Sequence, residues 1–340
     1  MSSKEEWNTF LQTKGLPVLA VFEDALAGSC GPAFADAVRS LHRQYCPSRA
    51  LTGILHDALL QILEDRRAGA FTEADLDLSA DSVSLVRALL YGDDPVAKSD
   101  LECFRDFEEN LFYLSTFLAL QAPERFLPYY FYCRFDLLCQ IAKRFGILLP
   151  PLPAENDFRG RLLYYGALCS SLQAFRRKEG LTPAGLWLFL YGYAPLAIRQ
   201  AAPSLPEVLP PARHACLVCT SRDDPLFSEK PETVVPRPAS PEIKRGDFAV
   251  QFLRVPDNAA TSVWRFVSDA FTDPFYFHYT CAYTAHPKKL KTISLRWMQK
   301  DHFLGRSPLV RKHLIGASGT AIPAEGFNHL MELAGEAARL

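Results

Sequence analysis

The chain has 340 residues, of which 49% are hydrophobic and 12% aromatic, and its formal net charge is −1. This length predicts two or three domains with a sizeable core, and the composition excludes an intrinsically disordered chain. A net charge near zero excludes a general affinity for polyanions, so any nucleic-acid surface has to be local.

Signals for a membrane or for export are absent from the sequence. No run of about 18 uncharged apolar residues is present, which argues against a transmembrane helix. The first residues, MSSKEEW, lack the basic and apolar regions of a signal peptide. Nine cysteines, an odd number and mostly in apolar stretches, favour reduced thiols over a disulfide framework. We therefore expect a cytoplasmic protein.

The first 200 residues carry apolar side chains at the three- and four-residue spacing of helices. Segments with this pattern span residues 33–42, 51–66, 82–90, 100–120, 128–145 and 158–179. Thr72 with Asp75 resembles a capping box, and Thr182 followed by Pro183 predicts the start of another helix. The pattern predicts a helical domain over residues 1–200, and a break near residues 95–100 would divide it into two subdomains.

A different pattern follows a proline-rich stretch. We interpret residues 201–212 as a linker, because apolar periodicity fades there. Segments rich in β-branched and aromatic residues predict strands over 247–253, 262–267 and 276–285, and helices are expected over 294–300 and 324–338. The sequence therefore predicts an α+β protein with a second domain over residues 213–340.

Five elements of this second domain occur in an order known from one family. They are Lys244-Arg245-Gly246-Asp247 before a strand, the strand 262–267, the turn Phe271-Thr272-Asp273-Pro274, the stretch 293–311, and Pro323-Ala324-Glu325-Gly326-Phe327. Together they resemble the EVE domain of the PUA-like superfamily, which also contains YTH and ASCH domains. The resemblance implies a PUA-like β-barrel with peripheral helices. Residues 100–200 are similar to the helical region that precedes such readers in some bacterial restriction-type proteins.

The resemblance also implies a pocket that holds one extruded, often modified, nucleobase. Such a pocket needs aromatic faces, because stacking on a ring is worth about 1–3 kcal/mol per base, and polar groups that read the base edge. The aromatic candidates are Trp264, Phe275, Tyr276, Phe277 and Tyr279. In a strand over 276–285 these rings alternate between two faces, so at most one set lines a pocket with Trp264. The alternative is that most of these rings are core.

Asp273 is a candidate acceptor for an exocyclic amine of the base; the alternative is that it caps the turn before Pro274. One departure from the family pattern concerns the pocket wall. Residues 237–240 read Arg-Pro-Ala-Ser where family members often carry an aromatic residue. That wall is therefore missing or supplied from elsewhere.

The region between Tyr283 and Gly316 contains eight lysines and arginines and a single acid, Asp301. A solvated face usually mixes both signs, so this stretch favours phosphate contact over an ordinary basic surface. Candidate phosphate ligands are Lys288, Lys289, Lys291, Arg296, Arg311 and Lys312.

Two cysteine and histidine patterns have ordinary structural interpretations. Cys216 and Cys219 have metal-site spacing near His214, but no second cysteine pair follows, so we expect strand cysteines rather than zinc ligands. His42 and His56 lie in helix-like segments and are expected to be ordinary core or surface histidines.

Two acidic signals have ordinary interpretations as well. Glu242-Ile243-Lys244, preceded by Asp223 and Asp224, mimics the acid and Glu-x-Lys arrangement of metal-dependent nucleases, a pattern that is frequent by chance. Glu108 and Glu109 occupy adjacent helical positions and point in different directions, which predicts a solvated face.

These observations predict a non-catalytic reader that needs no cofactor or metal and binds nucleic acid, modified DNA in preference to RNA, by base flipping. The helical region would dock a partner or effector, in the setting of bacterial restriction or defence that the resemblance implies. Two alternatives remain open: a metal-dependent nuclease or other defence effector, and a protein-interaction module with a vestigial pocket.

Overall fold

The structure is a computed structural model that describes residues 4–29, 31–67, 100–201 and 209–340. The expected helix over 82–90, the capping box at Thr72 and Asp75, and the break near residues 95–100 lie outside the described residues. Helices dominate the N-terminal part of the described chain and strands the C-terminal part, which confirms the α+β class.

Two compact units divide the described residues. The helical unit contains the described residues up to 46, the described residues between 52 and 201, and the four residues Pro274–Phe277. The β unit contains Pro47–Leu51, residues 209–273 and residues 278–340. Four residues that follow the first five strands in the sequence thus belong to the helical unit.

The helices that precede the strands begin and end as follows. They are α1 (Lys4–Phe10), α2 (Leu16–Leu26), α3 (Pro32–Tyr45), α4 (Arg49–Arg67), α5 (Asp100–Glu109), α6 (Leu111–Gln121), α7 (Phe135–Phe145), α8 (Phe158–Glu179), α9 (Pro183–Leu188) and α10 (Ala194–Ala201), with π-helical turns at Leu11–Gly15 and Phe189–Tyr193.

The start and stop signals of the sequence explain several of these boundaries. The Asp157 carboxylate accepts the N–H of Gly160 and caps the start of α8, and Gly180, with a φ of +68°, follows its last residue. The predicted cap at Thr182 is confirmed, because its hydroxyl accepts the N–H of Gly185. The helix predicted over 128–145 is wrong in its first half, since α7 begins only at Phe135, after Cys133 with a φ of +55°.

A buried arginine in α8 organises the helical unit around the segment Pro274–Phe277. The Arg161 guanidinium donates to the carbonyl oxygens of Pro274 (2.8 Å) and Tyr276 (2.6 Å) and to that of Phe277 (3.3 Å). It also lies 4.1 Å from the ring centroid of Phe104. The side chain is fully buried, so it satisfies backbone oxygens that water does not reach.

Glu108 in α5 binds the same segment from another side, which corrects the expected solvated position. Its Oε1 accepts the hydroxyl of Tyr132 (2.7 Å) and the N–H of Phe277 (2.7 Å). Burial raises the pKa of Glu108 to about 7, against the lowering effect of these two hydrogen bonds and of the nearby Arg161 charge. The carboxyl group is therefore poised to titrate near neutral pH.

The β unit contains one mixed sheet of seven strands. The strands are β1 (Ala215–Thr220), β2 (Val235–Pro238), β3 (Phe248–Leu253), β4 (Ala259–Phe266), β5 (Phe271–Thr272), β6 (Thr280–Ser294) and β7 (Ala321–Ile322), with helices α11 (Leu295–Lys300), α12 (Pro308–Arg311) and α13 (Ala324–Leu333) and a 3-10 turn at Leu304–Arg306. The strand order is β2-β6-β4-β3-β1-β7, and β5 pairs with β6. Only β1 and β3 run parallel among the described pairs.

The Gly-Asp pair before β3 fixes the start of the parallel strands. The Asp247 carboxylate accepts the N–H groups of Arg213 (2.8 Å), His214 (3.0 Å) and Lys244 (2.8 Å). Burial alone would raise the pKa of Asp247, but these hydrogen bonds outweigh it and hold the pKa below its usual value. Gly246 has a φ of +98°, and a Cβ there would meet the Pro210 carbonyl oxygen at 2.5 Å, so this position requires glycine.

The two faces of the sheet carry separate apolar clusters. Val250, Val263 and Leu290 lie in the cluster that contains residues of α11, α12 and α13, which we name the helix side. Trp264 and Ala249, their neighbours along the strands, lie in the other cluster, on the opposite side. The alternation follows from the two-residue period of β-strands.

Replacing Arg161 tests its role in the helical unit. We expect Arg161→Ala to lower the free energy of unfolding by at least about 3 kcal/mol, because several buried carbonyl oxygens lose their donor and each costs about 1–3 kcal/mol. Arg161→Lys should recover only part of the loss, since lysine lacks the planar fork. Urea unfolding followed by far-UV circular dichroism measures the difference. Arg159→Ala, an exposed neighbour in the same helix, is the control and should change little; equal effects of both alanine variants would contradict the role.

The raised pKa of Glu108 predicts a pH-dependent stability. The folded pKa of about 7 lies above the ordinary value of 4.5, so the folded protein keeps a proton that the unfolded chain releases between these pH values. Stability contributed by this group is therefore full below pH 4.5 and is lost as the pH rises to about 7, by up to about 3 kcal/mol. Glu108→Gln keeps the acceptor oxygen and should remove this slope in urea unfolding between pH 5 and 8. Glu109→Gln should retain it, and parallel profiles for all three proteins would refute the assignment.

Candidate nucleic-acid interface

The aromatic stretch predicted to line a base pocket lies mainly in the helical unit. Phe275 is fully buried, and its ring centroid is 4.6 Å from that of Tyr129 in an edge-on contact. The ring of Tyr276 lies 6.0 Å from that of Tyr132, and Phe277 stacks on Phe158 at 6.2 Å. These rings fill the helical unit, and Trp264 belongs to the β unit.

The strand predicted over 276–285 is wrong in its first four residues, because β6 begins at Thr280. Tyr279, partly buried just before it, has a φ of +63°, which no extended strand allows. Asp273 is fully buried, and its N–H donates to the Tyr279 carbonyl oxygen at 2.8 Å. These two residues therefore close a loop at its base.

Trp264 is a buried residue of β4 on the side of the sheet opposite the helices. Its side chain is 2% exposed, and Nε1 donates to the Gln251 side-chain oxygen (3.1 Å) and to the Ser262 hydroxyl (3.0 Å). The Arg237 guanidinium lies 5.8 Å from its ring centroid and pairs with the Asp224 carboxylate at 3.2 Å. Arg237, and not an aromatic residue, thus lies beside Trp264.

The cationic stretch is divided between the two faces of the β unit. Lys289 and Lys291 are exposed and flank buried Leu290, so they point away from the helix side. Lys288 points to the helix side and forms an ion pair with Glu336. The remaining candidates Arg296, Arg311 and Lys312 are exposed in or beside α11 and α12, and Arg311 donates to the Gly305 carbonyl oxygen at 3.1 Å.

A cavity of about 400 Å³ opens on the helix side of the sheet, where the sequence pattern gave no signal. Its floor is apolar and comes from β1, β3, β4 and the facing helices. Phe303, which is 37% exposed, lies at its wall, and Arg306, Ser307 and Glu325 supply polar groups. We name this space the helix-side cavity. Arg306 belongs to the cationic stretch but was not among the predicted phosphate ligands.

The cavity combines apolar walls with a few polar groups, which is the composition of small-molecule sites of about 300–1,000 Å³. Glu325 offers an acceptor, Arg306 donors, and Ser307 both. Arg306 and Ser307 lie at the end of the 3-10 turn and directly after it, whereas Glu325 lies in α13, a separate part of the sequence.

The cysteine pair of β1 is buried, as expected for strand residues. Burial raises the pKa of Cys216 to about 12 and that of Cys219 to about 11, so both thiols stay protonated at neutral pH. None of the eight cysteines in the described ranges is part of a disulfide bond. His42 is a core histidine, as expected: it is fully buried, its Nδ1 lies 2.8 Å from the Thr52 hydroxyl, and burial lowers its pKa to about 3.

The nuclease-like motif has separate local contacts. Asp224 binds Arg237 and accepts the N–H of Leu226, whereas Lys244 pairs with Asp269 at 3.4 Å. Glu242 is exposed. Asp224 and Lys244 therefore each make structural contacts within the β unit.

Within the described ranges, no single helix is long and apolar enough to cross a membrane; α8 and the helical stretch Pro183–Ile198 pass that test only as a pair, with a bend of 107° between them.

Neither the protein-family models nor the curated protein sequences include a match to this chain. The NMR structure of Rpa0253 from Rhodopseudomonas palustris matches with 19% identity and a TM-score of 0.25. The match covers 27% of this chain and 65% of that protein, less than two thirds of its length, and a score this low does not establish a shared fold.

Proposed function

We propose that the β unit is an EVE-like reader domain that binds nucleic acid and accommodates one base in the helix-side cavity. The preferred ligand in this proposal is a modified base of DNA. The observation that carries the proposal is the cavity itself, with an accessible ring at its wall and polar groups near it. The pocket of this proposal lies on the other side of the sheet from Trp264.

The chemistry of the cavity suits a nucleobase. A flipped base loses its stacking partners and needs an aromatic face, which the half-exposed Phe303 offers. The Glu325 carboxylate is of the type that accepts an exocyclic amine, and Arg306 is of the type that donates to ring nitrogens and carbonyl oxygens. Apolar walls also tolerate an added methyl group, which favours a modified base.

Cations near the cavity would hold the phosphates on either side of the base. Arg306 lines the cavity, and Arg311 reaches back to the carbonyl oxygen of Gly305 next to it. Lys312 follows directly in the chain and is exposed. Phosphate contacts of this kind supply most of the sequence-independent affinity.

The ordered elements of the EVE resemblance support the finer assignment of a PUA-like barrel. The long strand β6 pairs with β2, β4 and β5, and its register against β4 shifts twice, which adds the twist that closure needs. On this proposal the helical unit docks a partner or effector, and the protein acts in the cytoplasm in bacterial restriction or defence.

Two pairs of cations on opposite faces of the β unit offer a matched test. We expect Arg306→Ala/Lys312→Ala to weaken oligonucleotide binding at least about tenfold and to reduce the salt slope of log K by about 2, because two phosphate contacts are lost. Lys289→Ala/Lys291→Ala removes the same charge from the other face and should change affinity far less. Fluorescence anisotropy over a salt series, with single-stranded and duplex DNA and with RNA, provides the measurement. Equal losses in both double variants would place binding elsewhere or show it to be nonspecific.

Removing the accessible ring tests the pocket separately from the phosphates. Phe303→Leu keeps most of the apolar volume but removes the stacking face, so we expect affinity to fall by about 5- to 100-fold, with the salt slope unchanged. The probes are oligonucleotides that carry 5-methylcytosine or 6-methyladenine and their unmodified counterparts. Val255→Ala, at an exposed apolar side chain, is the control. An unchanged affinity of Phe303→Leu for every probe would contradict the base pocket but would not bear on phosphate binding by the cationic residues.

A further inference from the structure

Asp301, at the end of α11, lies close to two histidines that the proposed function does not use. Its Oδ1 is 3.0 Å from Nε2 of His329 in α13, and its Oδ2 is 3.7 Å from Nδ1 of His302. A ligand atom from each of the three side chains lies within 4.8 Å of the other two. In the part of the chain that the structure describes, no other group of three or more such residues meets this geometry.

The backbone holds the carboxylate of this group in place. Oδ1 of Asp301 accepts the N–H groups of Phe303 (2.9 Å) and Leu304 (2.8 Å), and the side chain is only 7% exposed. The ring of Phe303 packs 5.1 Å from that of His329 on one side of the group. His302 is 82% exposed and leaves the other side open to solvent. The aspartate is thus preorganised, one histidine is packed and one is free to adjust.

The distances suit a metal ion. Nitrogen and oxygen ligands bind Zn²⁺ at about 2.0–2.2 Å, so two ligands at a tetrahedral angle lie roughly 3.3 Å apart. The His329 nitrogen lies 3.0 Å from Oδ1 of Asp301, within hydrogen-bond range, and the His302 nitrogen lies 3.7 Å from Oδ2, so each nitrogen is near this separation from one oxygen of the carboxylate. Two imidazoles and one carboxylate are a ligand set of divalent first-row transition metals, with the remaining positions left to water.

We propose that Asp301, His302 and His329 form a binding site for a divalent transition metal ion. The site joins the end of α11 to α13, two elements that also contribute to the helix-side cavity. Metal binding would therefore hold together one wall of the cavity. The metal site does not require the nucleic-acid function, because it follows from the positions of these three side chains alone.

The test uses the full chain without a polyhistidine tag, treated with chelator and then titrated with Zn²⁺ by calorimetry and with Co²⁺ by visible absorption. We expect one equivalent to bind, with the d–d bands of a nitrogen and oxygen site for Co²⁺ and a rise in Tm with Zn²⁺. His302→Ala should lower the affinity at least about tenfold; because His302 is exposed, this variant should fold normally. Asp301→Asn keeps the acceptor for the backbone N–H groups and should also lose binding.

The control is His286→Asn, at an exposed histidine with a φ of +55°, a conformation that asparagine tolerates. It should bind both metals as the parent chain does. The proposal is overturned if the parent chain binds no metal, or if His302→Ala binds with the parent affinity.

Discussion

The buried guanidinium of Arg161 determines how the helical unit is completed. It donates to the carbonyl oxygens of Pro274, Tyr276 and Phe277, and the Glu108 carboxylate accepts the N–H of Phe277. A buried backbone segment without strand or helix partners needs such donors and acceptors from side chains. Once its backbone is satisfied, Phe275 can fill the space beside Tyr129. The core of the helical unit therefore depends on residues encoded far downstream of its helices.

This arrangement changes the interpretation of the aromatic stretch. Rings in a β-rich reader suggest a stacking pocket, but the rings of Phe275, Tyr276 and Phe277 pack inside the helical unit. The candidate pocket is instead formed on the helix side of the sheet. There the alternation along β3 and β4 directs Val250 and Ala260 to the cavity, while Trp264 faces the opposite side. The Asp247 carboxylate, which ties the start of β1 to the start of β3, fixes the register of the strands that form the floor.

Local signals predicted local structure well. The helix start at Thr182 follows from backbone chemistry that a sequence displays directly, and the α+β order follows from periodicity. The strand start at Thr280 was missed, because the partly buried turns of residues 274–279 have the aromatic composition of a strand. Glu108 was assigned to a solvated face, since its partners Tyr132 and Phe277 come from distant parts of the chain. The helix-side cavity and the group around Asp301 likewise exist only after folding, so spacing alone gave no indication of them.

Hydrogen exchange of the full chain, measured with and without an oligonucleotide, distinguishes the proposed nucleic-acid surface on the helix side of the β unit from residues 274–277, which serve packing. We expect added protection in residues 298–330, around Phe303 and Arg306, and unchanged, already slow exchange of Phe277. Added protection confined to residues 274–279, or to the neighbourhood of Trp264, would show that the proposed surface is misplaced.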